Sequence, residues 1–166
     1  RIVVLNEFSV TATENVLMLL SSMSGWGSIR IAAAEPHVAD LCKFLSKMGV
    51  KIRGAGTHSI KVLGSANLSG ASHRVVPDYI EAGTFIIAVL ASGGKVKIMN
   101  APISHLDFVI KKLVSAGADI KLSRGNMIEV ASKFPGAGAD GKRMLLEVVQ
   151  CLPHPPIPIG RIKLIY

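Results

Sequence analysis

The sequence has few aromatic residues, few cysteines and no long apolar run, and each shortage argues against a class of protein. Aromatic residues make up 5% of the 166 residues, too few to favour a surface that stacks nucleic-acid bases. The two cysteines stand in different contexts and form no CxxC pair, which is typical of a reduced, cytoplasmic protein. No apolar stretch approaches the roughly 20 residues that span a bilayer.

Basic residues outnumber acidic residues in this sequence. Nineteen basic residues against eleven acidic ones give a formal net charge of +8. This balance suits anionic partners such as phosphates, nucleic acid or acidic lipid, although an ordinary solvated basic surface explains it equally well. Hydrophobic residues make up 49% and charged residues 18%, a globular composition in a chain long enough for a real core.

The chain repeats one pattern. The pattern of apolar and polar residues predicts a helix, a strand, a second helix and two further strands, once in residues 8–63 and again in residues 79–130. We therefore expect a first repeat unit at 1–70, a second at 71–132, and at 133–166 a linker that begins a crossover to a further domain.

Short motifs predict where the helices begin. The strings TATE at 11–14 and DYIE at 78–81 are typical of capping boxes. Pro36 fits the first turn of the second helix. In the matching helix of the second repeat, Ser104 is the predicted N-cap.

The predicted layers are unusual. The first helix of each repeat is apolar nearly all round, which is typical of a buried helix. The strands alternate apolar and charged residues, as in Ile29-Arg30-Ile31, so each keeps one face in water. Together these patterns predict a mixed α/β fold with helices inside and sheets outside, the inverse of the usual layering.

No catalytic dyad and no metal-ligand spacing is visible. The five histidines are scattered and we expect most of them on the surface. Asp40 is predicted to be a solvated helix residue and Cys42 an inert packing residue. The loop at 53–59 predicts a β-turn rather than a phosphate cradle. In the Gly-containing stretch further on, Lys142 and Arg143 are weak anion candidates.

Ser9, Thr11 and Glu35 stand near predicted helix starts. A helix N-terminus attracts phosphate, and two hydroxyls there add donors, although plain capping explains the hydroxyls as well. Glu35 could accept hydrogen bonds from a sugar or an amine, or it is simply an acidic residue near a helix N-terminus.

Four strings of the sequence resemble the sugar-nucleotide branch of the enolpyruvyl transferase family: SVTATENVLM, AAAEPHVADLCKFLSKMGVKIRGAGT, HRVVPDYIEAGTFIIAVLASGG and HLDFVIKKLVSAGADI. The resemblance covers about residues 3–156. It implies an inside-out α/β barrel of repeated β-α-β-α-β-β units, of which this chain would be a part. It also implies transfer of an enolpyruvyl group from phosphoenolpyruvate to the 3′-hydroxyl of UDP-N-acetylglucosamine, the first step of cytoplasmic peptidoglycan precursor synthesis.

The resemblance carries over only a few residues. Ser9, Val10 and Thr11 match the family's Ser-Val-Gly stretch, in which Thr often replaces Gly and which meets the UDP diphosphate. Glu35 matches a glutamate that lines the substrate cleft, but Ala34 precedes it where the family usually has arginine.

No catalytic residue of the family is carried over. Neither Cys42 nor Cys151 has the setting of the family's loop cysteine, and the sequence after Pro155 departs from the family. We therefore expect a truncated transferase without turnover of its own, whose partners are its two substrates and the missing half of the enzyme. No cofactor, metal, nucleic acid or membrane is expected.

Other interpretations stay open. The chain could be a non-catalytic nucleotide-sugar-binding module or a decayed gene fragment. It could also bind polyanions through its charge, in which case binding should weaken steeply with salt. The sibling reaction of the shikimate pathway is a further alternative.

Overall fold

The computed structural model describes residues 1–132 and the backbone of 149–150. The first compact unit covers Arg1–Val76, and the second begins at Pro77. Each unit has its own four-stranded sheet and its own two α-helices.

The first unit alternates strands and helices and then closes with two strands. Its elements are β1 (Ile2–Val4), α1 (Val10–Ser22), β2 (Gly25–Arg30), α2 (Pro36–Lys47), β3 (Lys51–Arg53) and β4 (Ser59–Gly64). The sheet order is β1-β2-β4-β3, with β1 parallel to β2 and the other pairs antiparallel. Because β1 and β2 are parallel and each leads into a helix, α1 and α2 begin at the same edge of the sheet.

The second unit repeats most of this order. Its elements are α3 (Tyr79–Ser92), β5 (Lys95–Met99), a 3₁₀ turn (Ile103–His105), α4 (Asp107–Ser115), β6 (Asp119–Ser123), β7 (Met127–Ala131) and β8 (Val149–Gln150). The sheet order is β6-β7-β5-β8, with β5 parallel to β8. In the second sheet β8 occupies the position that β1 occupies in the first sheet. Along the chain, however, β8 comes after the other elements of its repeat, whereas β1 comes before the other elements of the first repeat. The predicted order of helix, strand, helix, strand, strand is confirmed in both units.

Each sheet buries one face against its helices. In β4, Ile60 and Val62 are fully buried, whereas the alternating residues Ser59 and Lys61 are exposed. The predicted half-exposed strands are therefore confirmed. Helix α1 lies so close to the sheet that a Cβ added at Gly27 would sit 2.7 Å from Leu20 Cδ2, so a larger residue there would force the Leu20 side chain to shift.

The first helices are buried on one face only. Leu19 of α1 and Ile87 of α3 keep 58% and 53% of their surface exposed. Within each unit the sheet covers the helix from a single side, and the opposite apolar face stays uncovered. The expectation of helices buried all round therefore does not hold for the described structure.

The structure corrects two predicted helix starts. Helix α1 is capped by Ser9, two residues before the predicted Thr11, because Ser9 has the extended backbone of an N-cap. Ser104 lies in the 3₁₀ turn, and α4 begins at Asp107 without a side-chain cap. The predicted cap at Asp78 and the predicted place of Pro36 in the first turn of α2 are confirmed.

Candidate functional site

The N-terminus of α1 is built around Ser9, at the edge where β1 ends. The Ser9 hydroxyl accepts a hydrogen bond from the Ala12 amide at 3.3 Å. Helix geometry leaves the amides of Val10 and Thr11 without an intrahelical carbonyl, and the helix dipole adds partial positive charge. Because a serine hydroxyl can accept one bond and donate another, capping does not prevent Ser9 from donating to an anion.

A cavity of about 250 Å³ opens beside this helix start. Its lining residues are Val4, Leu5, Asn6, Glu7, Ser9 and Ala12. Ser9 is thus the predicted site residue that faces the cavity. Thr11 lies on the exposed side of the helix and Val10 is half-buried.

Thr13 joins this helix start to the loop that follows β2. The side chain is fully buried. Its hydroxyl donates to the Ser9 carbonyl at 2.7 Å and accepts from the Ala33 amide at 2.9 Å. Thr13 was not predicted from the sequence, although a threonine four residues after a helix cap commonly bonds back to the cap carbonyl.

Glu35 ends the same loop and begins α2. It is the N-cap residue by backbone conformation, but its side chain makes no capping hydrogen bond. Its Oε2 atom is buried and has no hydrogen-bond partner within the described residues. A buried carboxylate oxygen without a donor is costly, so a donor from a ligand would satisfy it.

Ile31 opens this loop in a strained conformation. Its φ angle is 59°, in the left-handed region that β-branched residues rarely adopt. The equivalent position after β5 holds Asn100, with φ 57°, and asparagine tolerates this conformation. Backbone strain of this kind concentrates at functional sites in proteins, which fits the place of Ile31 four residues before Glu35.

Glu14 of α1 interacts electrostatically with His37 in the first turn of α2. Burial raises the pKa of Glu14, and the nearby His37 lowers this pKa by a smaller amount. The structure therefore brings the starts of α1 and α2 together. The ligand-binding role of Ser9, Val10, Thr11 and Glu35 stays a prediction.

Asp40 and His73 correct the sequence analysis. Asp40 was expected to be solvated, but it is 6% exposed. Its Oδ2 atom lies 3.0 Å from His73 Nε2 and accepts from the Val76 amide at 3.4 Å. The His73 side chain is only 10% exposed, so it is not one of the surface histidines. The carboxylate therefore anchors the segment after β4 to α2, a contact that α2's own sequence could not reveal.

Cys42 is buried, and burial raises the pKa of its thiol to about 11. This confirms the prediction that Cys42 is an inert packing residue. Within residues 1–132 no group of three or more potential metal ligands is found. None of the helices described is long and apolar enough to cross a membrane. Lys142, Arg143, Cys151 and the divergent end lie outside the described residues.

Comparison with known families identifies the class of protein. The model of the family EPSP synthase (3-phosphoshikimate 1-carboxyvinyltransferase) matches residues 3–160. The chain therefore belongs to the EPSP synthase family. The family resemblance seen in the sequence is confirmed, and so is the mixed α/β class of the fold.

Similar curated proteins carry a more particular name. UDP-N-acetylglucosamine 1-carboxyvinyltransferase 1 of Caldanaerobacter subterraneus subsp. tengcongensis is 45% identical over 72% of this chain and 29% of its own length. UDP-N-acetylglucosamine 1-carboxyvinyltransferase 2 of Carboxydothermus hydrogenoformans is 42% identical over 90% of the chain and 34% of its own. The Actinobacillus succinogenes protein named UDP-N-acetylglucosamine 1-carboxyvinyltransferase is 38% identical over 93% of this chain and 35% of its own length. The chain thus spans about a third of the length of these relatives.

Proposed function

We propose that this chain is part of a UDP-N-acetylglucosamine 1-carboxyvinyltransferase, which transfers enolpyruvyl from phosphoenolpyruvate to the 3′-hydroxyl of UDP-N-acetylglucosamine. The names of relatives that are 38% to 45% identical support this proposal. The structural observation that carries it is the pair of helix starts at one sheet edge, joined by the Thr13 hydroxyl. Such an edge, where parallel strands end and helices begin, favours phosphate-bearing ligands.

In this proposal the α1 start holds the diphosphate. The Ser9 hydroxyl and the amides of Val10 and Thr11 donate to phosphate oxygens, and the helix dipole favours the negative charge. Glu35 accepts a hydrogen bond from the sugar part of the ligand, which satisfies its buried Oε2. These residues bind and orient; no catalytic residue is assigned to this chain.

We also propose how the two repeats fit into a larger fold. The two repeats would belong to an inside-out barrel, in which further repeats cover the apolar faces that α1 and α3 leave open. The exposed Leu19 and Ile87 support this arrangement. The proposal also includes a reduced, cytoplasmic location and a role in peptidoglycan precursor synthesis.

We propose that the 166-residue chain binds the nucleotide sugar but does not turn it over, because most of the length of its relatives lies outside it. Production of enolpyruvyl product above background by the purified chain would overturn this part of the proposal.

Calorimetric titration with UDP-N-acetylglucosamine tests the binding site. We expect saturable binding that Ser9→Ala weakens about tenfold, because a hydrogen bond to a charged group is lost. Ser9→Ala also removes a helix cap, so Asp78→Ala in α3 is the matched control: it removes a cap without touching the site. Equal weakening by both variants, or no binding by the unmodified chain, would contradict the proposal.

The same titration shows whether the chain belongs to the sugar-nucleotide branch or to the shikimate branch of the family. Shikimate 3-phosphate should neither bind at comparable concentration nor compete with UDP-N-acetylglucosamine. Preferential binding of shikimate 3-phosphate would assign the chain to the sibling reaction instead.

A further inference from the structure

The outward face of the first sheet carries an uncompensated group of cations. Arg30, Lys51, Arg53 and Lys61 are all exposed, and we call these four side chains the basic sheet face. None of the residues in β1 to β4, all of which are described, is acidic. Among the described residues, none of the four takes part in an ion pair.

Strand register places these cations close together. Arg53 is paired with Lys61 across β3 and β4, and Arg30 is paired with Ser59 across β2 and β4. Neighbouring strands are about 4.8 Å apart and alternate residues of one strand about 6.8 Å apart. The Cα atoms of the four residues therefore lie within roughly 17 Å of one another, and their side chains share a single surface.

Large apolar side chains share this surface. Trp26, which is the chain's single tryptophan, is 51% exposed, and Ile2 and Val4 of β1 are 63% and 56% exposed. Val4 is paired with Arg30, and the Arg53 guanidinium carbon lies 5.9 Å from the Trp26 ring centroid. Cations and exposed apolar groups are thus interleaved.

The second sheet shows that the repeat itself does not require this pattern. There Lys97 forms an ion pair with Glu129 at 2.9 Å, and Glu129 is also the register partner of Lys121. Asp119 adds a further acidic group on β6. The corresponding charges of the second sheet are therefore largely neutralised, whereas those of the first are not.

We propose that the basic sheet face docks on the surface of an anionic phospholipid bilayer. Each Lys or Arg near an anionic membrane surface contributes about 1 kcal/mol to attraction, and Trp with aliphatic side chains is the apolar complement found at membrane interfaces. A single tryptophan amid aliphatic side chains does not form the series of stacking platforms that single-stranded nucleic acid uses. The inference is independent of the proposed transferase function. It departs from the sequence expectation of no membrane partner, which rested on the lack of a spanning segment.

Vesicle titration of the whole chain, followed by Trp26 fluorescence, tests the docking. With vesicles of phosphatidylglycerol and phosphatidylcholine at low salt, we expect a blue shift of the emission. With phosphatidylcholine alone, or at about 0.5 M salt where the Debye length is a few ångströms, the shift should vanish. The double variant Lys51→Gln/Arg53→Gln should lower the vesicle affinity about thirtyfold.

The matched control removes the same charge from the other sheet. Lys95→Gln/Lys121→Gln should change the affinity by less than about threefold if docking is confined to the basic sheet face. Equal weakening by the two double variants would show that only net charge matters and would overturn the proposal. Absence of a blue shift with anionic vesicles, or tighter binding of a single-stranded oligonucleotide than of vesicles, would overturn it as well.

Discussion

Replacing Thr13 with valine isolates the hydroxyl that joins α1 to the loop before Glu35. The substitution keeps the branched shape of a fully buried side chain but removes its oxygen. The Ser9 carbonyl keeps its bond from the residue 13 amide at 3.0 Å. The buried Ala33 amide, in contrast, loses the acceptor that lies 2.9 Å away. A buried donor left unsatisfied costs about 1–3 kcal/mol, so we expect Thr13→Val to lower the free energy of unfolding by about 2 kcal/mol.

Urea unfolding followed by tryptophan fluorescence measures this loss. Trp26 is the chain's single tryptophan and lies in β2, so its emission reports on the first unit. The midpoint should fall while the slope with urea stays unchanged.

The matched control is Thr13→Ser, which keeps the hydroxyl and loses a methyl group. Its cost should be about 1 kcal/mol, from the lost apolar burial. A Thr13→Val protein as stable as the unmodified chain, or less damaging than Thr13→Ser, would refute the reasoning, because methyl packing would then outweigh the hydroxyl.

Three further predictions follow from features of the two units. Ile31→Asn should raise the free energy of unfolding by about 1 kcal/mol in urea unfolding, because it relieves left-handed strain at a position where the second repeat has asparagine; a decrease would show that the isoleucine side chain contributes more than the strain costs. In a Cys151→Ser background, Cys42 should react with a thiol reagent at pH 8 far more slowly than free cysteine and accelerate only as the pH approaches its pKa of about 11; rapid reaction at pH 8 would contradict its burial. Leu19→Gln/Ile87→Gln should reduce self-association in light scattering, because both side chains are about half exposed; a monodisperse monomer before substitution would contradict this.

Local patterns predicted the repeats well. The strands could be recognised because alternation of apolar and charged residues reflects burial of a single sheet face, as in Ile60-Lys61-Val62. Helix starts were less predictable, since several hydroxyls lie near each start. Ser9 rather than Thr11 caps α1 because the backbone is still extended at Ser9, a property of the chain's exit from β1.

Contacts between distant residues were not predictable. Asp40 looks like a surface residue on its helix, and only the approach of His73, 33 residues away in sequence, buries it. The role of Thr13 depends in the same way on a loop 20 residues further on. Residue types at the helix starts suggested Ser9, Thr11 and Glu35 as ligand-binding candidates beside plain capping, and the family resemblance added Val10 and named the ligand.

The position of β8 has a consequence for the order in which the chain can fold during synthesis. The first sheet is complete once its last strand, β4, has left the ribosome, because β1 is made before the rest of its repeat. The second sheet has to wait for residues 149–150, because β8 begins 18 positions after Ala131, the last residue of β7. Until then the parallel edge of β5 offers unpaired backbone groups, and such an edge can recruit a strand from another chain. We therefore expect aggregation to be most probable while the ribosome is between β7 and β8.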